Sequence, residues 1–171
     1  ERGREALRQC GLTGREKDYV WQLSGGQTHL LALAGAVSLQ PDVLILDEPI
    51  AQLDPLHADK IYETLKELNE KYQKTIIVIE HHTEYIADYC RHVLLLKDGK
   101  VQWKLPASEA LERVEELQQS NVYPPQVTLA AYALKKQKKL EEAAGLPSTV
   151  AAGKKWFQNI SFHGQEPQRK A

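Results

Sequence analysis

Val43-Leu44-Ile45-Leu46 runs directly into Asp47-Glu48-Pro49, and this junction constrains the chain more than any other stretch. A short, wholly apolar run predicts a buried parallel strand. Such a strand delivers the two acids to its carboxyl end, where open α/β sheets place their ligands. A second run, Thr75-Ile76-Ile77-Val78-Ile79, repeats the pattern and ends at Glu80-His81-His82. Between the two, Asp54-Pro55 reads as the N-cap and first residue of a helix. Leu56, Ile61, Leu65, Leu68 and Tyr72 then recur at roughly helical spacing. Strand, helix and strand in that order predict an α/β fold with parallel strands.

Upstream of the first strand stands Leu23-Ser24-Gly25-Gly26-Gln27. Ser24 is a good N-cap, and Gln27, three residues on, completes a capping box. Two glycines in the first turn let another group approach the backbone closely, and a helix N-terminus offers unpaired N–H groups and positive dipole to an anion. The Leu- and Ala-rich segment from Thr28 to Leu39 predicts a buried helix stopped by Pro41. Nearer the start, a helix-like segment around Glu5-Ala6-Leu7-Arg8 breaks at Gly11 and Gly14.

Downstream, Glu84 to Tyr89 predicts a short helix and Val93 to Leu96 a third strand. Lys97-Asp98-Gly99-Lys100 reads as a hairpin turn, with Val101-Gln102-Trp103 as its return. Ser108 is expected to cap one amphipathic helix reaching about Gln119, and Val127 to Ala144 a further helix with a Lys-rich outer side. The sequence then turns polar and irregular, and residues 161–171 read as a flexible linker.

With 171 residues the chain is long enough for one domain with a real core. A formal charge of −1 favours neither nucleic acid nor an anionic membrane through bulk electrostatics. The longest nearly unbroken apolar stretch, Leu30 to Leu39, falls well short of the roughly 18 residues that a membrane span needs. Cys10 and Cys90 form neither a metal-site nor a redox-motif spacing.

Taken together, the two motifs resemble the ATPase domain of ATP-binding-cassette (ABC) transporters: LSGGQ is similar to the signature motif, LILDEP to the Walker B strand, and Leu53-Asp54-Pro55 to the D-loop. The resemblance implies a partial P-loop NTPase (RecA-like) core with flanking helices and a C-terminal helical extension. Residues 1–22 would end the helical subdomain, 23–105 carry the core, 106–145 form the extension, and 146–171 a linker toward a second cassette. It further implies ATP and Mg²⁺ as ligands. Asp47 would hold Mg²⁺ through water, and Glu48, pointing to the other side of an extended chain, would orient the attacking water. His81 would hydrogen-bond the γ-phosphate, while His82 stands where the family commonly has Asp. Neighbouring histidines on an extended segment are expected to point apart, which disfavours reading them as a metal pair. Leu23, Ser24, Gly25, Gly26 and Gln27 would close over ATP held by a partner cassette in a head-to-tail dimer, with Asp54 crossing the same interface.

Ile50 and Gln52 replace a Thr and a Gly usual in the family, and Thr28-His29-Leu30-Leu31 lacks its usual basic residue. No Gly-x-x-x-x-Gly-Lys-Ser/Thr occurs in the sequence. The chain also opens on Glu1 and contains no Met. It is therefore expected to be cut at its N-terminus and inactive alone. In the resemblance the P-loop strand is expected between the Walker B strand and the strand leading to His81. LALAGAVSLQPDVLILDEP and Tyr123-Pro124-Pro125-Gln126-Val127-Thr128-Leu129-Ala130 resemble energy-coupling-factor and cobalt-type importer ATPases, and Leu146-Pro147-Ser148-Thr149-Val150 resembles the end of the first cassette of a tandem chain. That implies a peripheral position on the cytoplasmic membrane face, with a transmembrane coupling subunit and a substrate-capture subunit as partners, no nucleic acid, and a vitamin or metal ion as cargo. The alternatives are a soluble ABC ATPase clamping ribosome or DNA, and a non-hydrolysing partner cassette.

Overall fold

The computed structural model describes residues 1–137 and 145–159. The chain forms two compact units, residues 1–80 and residues from His81 onward.

The first unit opens with α1 (Arg2–Gln9), which ends in a Schellman arrangement. Gly11 takes φ 70°, its N–H donates to the Arg8 carbonyl, and the Leu12 N–H donates to that of Leu7. Leu12 is thereby buried, and α1 packs on α2 (Gly25–Ser38). The capping box forms as the sequence predicts: Gln27 N–H donates to Ser24 Oγ at 3.3 Å, and Ser24 N–H donates to Gln27 Oε1 at 3.0 Å. Gly26, Leu30, Leu33, Ala34 and Val37 make the buried face of α2. Gln40, at φ 55° just ahead of Pro41, ends the helix.

β1 (Val43–Asp47) and β2 (Thr75–Ile79) are joined by α3 (Pro55–Glu70) and pair in parallel, with Val43 opposite Thr75 and Asp47 opposite Ile79. This corrects the expectation that another strand separates them. A helical crossover is the ordinary link between neighbouring parallel strands, and it leaves β1 and β2 hydrogen-bonded directly. A second correction concerns burial. Leu44 is buried, yet Ile45 is 67% exposed and Val43, Ile77 and Ile79 are open as well, so the described residues cover one face of this sheet. Helix α3 turns Ala58, Ile61, Tyr62, Leu65 and Leu68 inward. Leu56, predicted on that stripe, is exposed in the first turn instead.

The second unit begins with α4 (Thr83–Tyr89) and a hairpin of β3 (His92–Lys97) and β4 (Lys100–Pro106). Asp98 and Gly99, at φ 50° and 71°, make the predicted two-residue turn. The single helix expected from Ser108 is two: α5 (Ala107–Glu112) and α6 (Val114–Gln118), separated at Arg113, whose ψ of 58° is not helical. Pro106 holds the N-cap position, and Ser108 lies inside α5. The Ala107 N–H donates to the Arg91 carbonyl, which ties the helix start to β3. Arg113 lies over the Trp103 ring and pairs with Glu109 and Glu116, and these contacts favour the break. Leu95, Leu111 and Leu117 form the core of this unit with Ala87, Trp103 and Val122 against them.

Helix α7 (Gln126–Lys136) is anchored by a buried bond from Thr128 Oγ1 to the Pro147 carbonyl at 2.8 Å. Gln137 is its C-cap, and residues 138–144 of the helix predicted to reach Ala144 lie outside the described residues, as do residues 160–171 of the predicted linker. The linker's first part differs from the irregular segment expected: Val150–Gln158 is a helix, α8, capped by Thr149.

Candidate functional site

Helix α2 starts at Ser24, so Gly25 and Gly26 carry two of the N–H groups that helix geometry leaves without an intrahelical acceptor. Their surroundings differ. A Cβ at Gly25 would meet nothing within 4 Å, whereas one at Gly26 would overlap the His57 ring. Gly25 is open to an approaching group, while the missing side chain of Gly26 is already used by packing within the unit. Gly26 is buried, and the space its side chain would take is filled by the His57 ring. Leu23 and Gln27 are half-buried, and Ser24 is exposed.

His57 reaches Gly26 from the first turn of α3, where Asp54 is the N-cap. Asp54 uses both carboxylate oxygens on this one residue. Oδ1 accepts the His57 backbone N–H at 3.1 Å, and Oδ2 accepts from ring Nδ1 at 2.6 Å. The ring's hydrogen bond, then the backbone's, hold the Asp54 carboxyl below its ordinary range. His57 thus brings together Asp54 and Gly26, two predicted site residues, and it was missed at the sequence level. Its spacing was the available signal: three residues beyond an N-cap, a side chain can reach back to that cap.

Asp47 and Glu48 form a second group at the carboxyl end of β1, both exposed. Glu48 corrects the extended geometry expected of it. Its φ is 46°, in the left-handed region, and its N–H donates to the Ile79 carbonyl at 2.9 Å. That bond adds a last rung to the β1–β2 ladder while the chain turns away. Residues 48–53 then form two successive turns, Ala51 N–H to the Glu48 carbonyl and Leu53 N–H to that of Ile50, with the Ile50 side chain buried beneath. Asp47 is an exposed oxygen donor at a strand end, which suits a hard cation that retains most of its water.

His81 opens the second unit and is exposed. Its ring centroid lies 4.3 Å from that of His82 at a tilt of 34°. The two histidines therefore face one another instead of pointing apart, because the backbone leaves the extended form before α4.

Residues 1–51 match a family model described as ABC transporter. Over 127 residues, 74% of the chain, it is 38% identical to the energy-coupling factor transporter ATP-binding protein EcfA of Methanocaldococcus jannaschii, a stretch that is 45% of that relative. A putative ABC transporter ATP-binding protein of Methanosarcina mazei is 36% identical over 111 residues, 65% of this chain and 19% of that relative. Among solved structures, CbiO1 of Clostridium perfringens, part of the ABC transporter complex CbiONQ, aligns with a TM-score of 0.62 at 29% identity, covering 78% of this chain and 52% of that one.

The chain belongs to the ABC transporter family of ATP-binding proteins. It spans about half the length of the EcfA and CbiO1 chains it matches, and less of the longer Methanosarcina relative. Two departures of this ABC family chain from the family pattern acquire a structural reading. Gln52, in place of Gly, sits at φ 64°, a conformation that glycine adopts without strain. Ile50, in place of Thr, is buried as the apolar anchor of the turn.

Proposed function

We propose that the complete protein hydrolyses ATP to drive an energy-coupling-factor-type importer. The observation that carries this reading is the pairing, within one unit, of an open, capped helix N-terminus at Ser24 and Gly25 with a parallel strand that ends at exposed Asp47 and is followed by exposed Glu48. Phosphoryl transfer needs positioned donors for phosphate oxygens and carboxylates for a cation and an attacking water, and in a head-to-tail pair each site would draw its donors from one cassette and its carboxylates from the other.

Ser24, Gly25 and Gln27 would cover the γ-phosphate of ATP bound by a second cassette, using helix N–H groups and dipole. Asp47 would hold Mg²⁺ through water, and the ion would supply neutralisation of charge developing on the phosphate oxygens. Glu48 would accept a hydrogen bond from the attacking water and orient it in line. His81 would contact the γ-phosphate and Asp54 the cassette interface. No phosphate-cradle motif lies in these residues, so the cradle would come from polypeptide outside them.

The similarity to an energy-coupling factor transporter ATP-binding protein and to a part of the ABC transporter complex CbiONQ supports a transporter assembly, in which the complete protein would lie on the cytoplasmic membrane face with a transmembrane coupling subunit and a substrate-capture subunit. The length of the Methanosarcina relative supports a tandem, with residues 146–171 leading toward a second cassette. A vitamin, its precursor or a metal ion would be the cargo. The test is ATP turnover by the complete protein in membranes with and without its coupling subunit. Coupled turnover supports the importer, and turnover stimulated by ribosomes or DNA instead would overturn it.

A further inference from the structure

We propose that His57 is a positioning residue that ties the Asp54 loop to the first turn of α2, so that the two shift as one body. Its effect on turnover rests on the function proposed above; the mechanical link does not.

The helix start of α3 does not itself require an imidazole. Asp54 Oδ1 already caps the helix through the His57 backbone N–H, a bond that any non-proline residue would supply. The ring adds two contacts that a cap has no use for. Its Nδ1 donates to Asp54 Oδ2 at 2.6 Å, which fixes the carboxylate's rotation about its own axis. Its Cγ–Cδ2 edge lies over Gly26, where a Cβ could not be accommodated. A planar ring held along one edge by a charge-assisted bond and along another by backbone contact has little rotational freedom. If α2's first turn moves toward a ligand, the ring must follow, and Asp54 with it.

The chemistry on either side gives this link its use. Gly26 adjoins the N–H groups proposed to meet phosphate, and Asp54 the surface proposed to meet the partner cassette. His57 would then report phosphate contact at Ser24 and Gly25 to the loop that ends at Asp54, and would leave nucleotide affinity on the chain's own cradle unaffected.

The test compares wild type, His57→Ala and His57→Asn in the complete protein with its partner cassette. Asn keeps an N–H near the Nδ1 position and a short, planar group over Gly26. Hydrogen exchange at the amides of Gly26, Gln27 and Thr28 should speed up roughly threefold to tenfold in the Ala variant, the scale of one exposed charge-assisted hydrogen bond, and less in the Asn variant, with β1 and β2 unchanged. Turnover should fall with KM for ATP unaltered and be restored in part by Asn. Unchanged exchange at those three amides, or an equal rise across α2, α3, β1 and β2, would overturn the proposal. A wild type without ATP turnover would instead refute the proposed function, and the exchange result alone would decide on His57.

Discussion

Asp54 Oδ2 and His57 Nδ1 lie 2.6 Å apart, and the same imidazole covers Gly26 at the start of another helix. One side chain thus joins the loop after β1 to the helix before it, over a sequence distance that hides the contact from any local reading.

The two glycines at the head of α2 should respond differently to a methyl group. Gly26→Ala forces the His57 ring to shift and should destabilise the protein by about 1–3 kcal/mol, the range for overpacking a filled site. Gly25→Ala has open space and should change stability by less than about 1 kcal/mol. Urea midpoints at constant m decide it; equal effects at both positions would contradict the packing described.

Ser24→Ala removes one arm of the capping box. A loss of about 1 kcal/mol is expected. Ser24→Asp should keep most of the stability, since Asp is an equally good cap. A thermal scan of the three proteins separates this from a general surface effect, which would leave all three alike.

The Asp54 carboxyl is held below its ordinary range by the His57 ring. A carboxylate whose folded pKa is depressed adds stability above its unfolded pKa, about 3.9, and loses that contribution as pH falls through the lower folded value. The stability gap between wild type and Asp54→Asn should therefore be full near neutrality and shrink below about pH 4. Denaturation curves at several pH values test this; a gap that stays constant into acid would show that Asp54 does not titrate against the fold.

Gln52 pays a backbone penalty for its φ of 64° that glycine would not. Gln52→Gly should raise stability by up to about 1 kcal/mol, the strain relieved less the extra freedom of glycine in the unfolded chain. A clear loss would mean that the Gln side chain supports the turn in some way its backbone conformation does not suggest.

What the sequence made legible was local. Ser24 with Gln27, Asp54 with Pro55, and Asp98 with Gly99 each act within a few residues, and each element starts or turns where those pairs predicted. Misjudged features depended on distant partners. Direct pairing of β1 with β2 is set by the crossover geometry of α3, and apolar composition could not reveal which neighbour a strand takes. The exposed faces of Val43 and Ile45 look, as letters, the same as buried ones. Arg113 breaks a helix that propensity alone would continue because Trp103 and Glu109 hold it. Glu48 is left-handed although nothing in a glutamate asks for that, since the bond to the Ile79 carbonyl and the burial of Ile50 bend the chain there.

Glu48, the residue that follows β1, is proposed to orient the attacking water. Glu48→Gln keeps the shape and an acceptor oxygen but removes the charge, so the complete protein should bind ATP as wild type does while turnover falls ~10²-fold or more, within the range of positioned general bases. Single-turnover hydrolysis beside nucleotide binding measures both at once. Retained binding with lost turnover is the predicted result, and turnover near wild type would contradict the account.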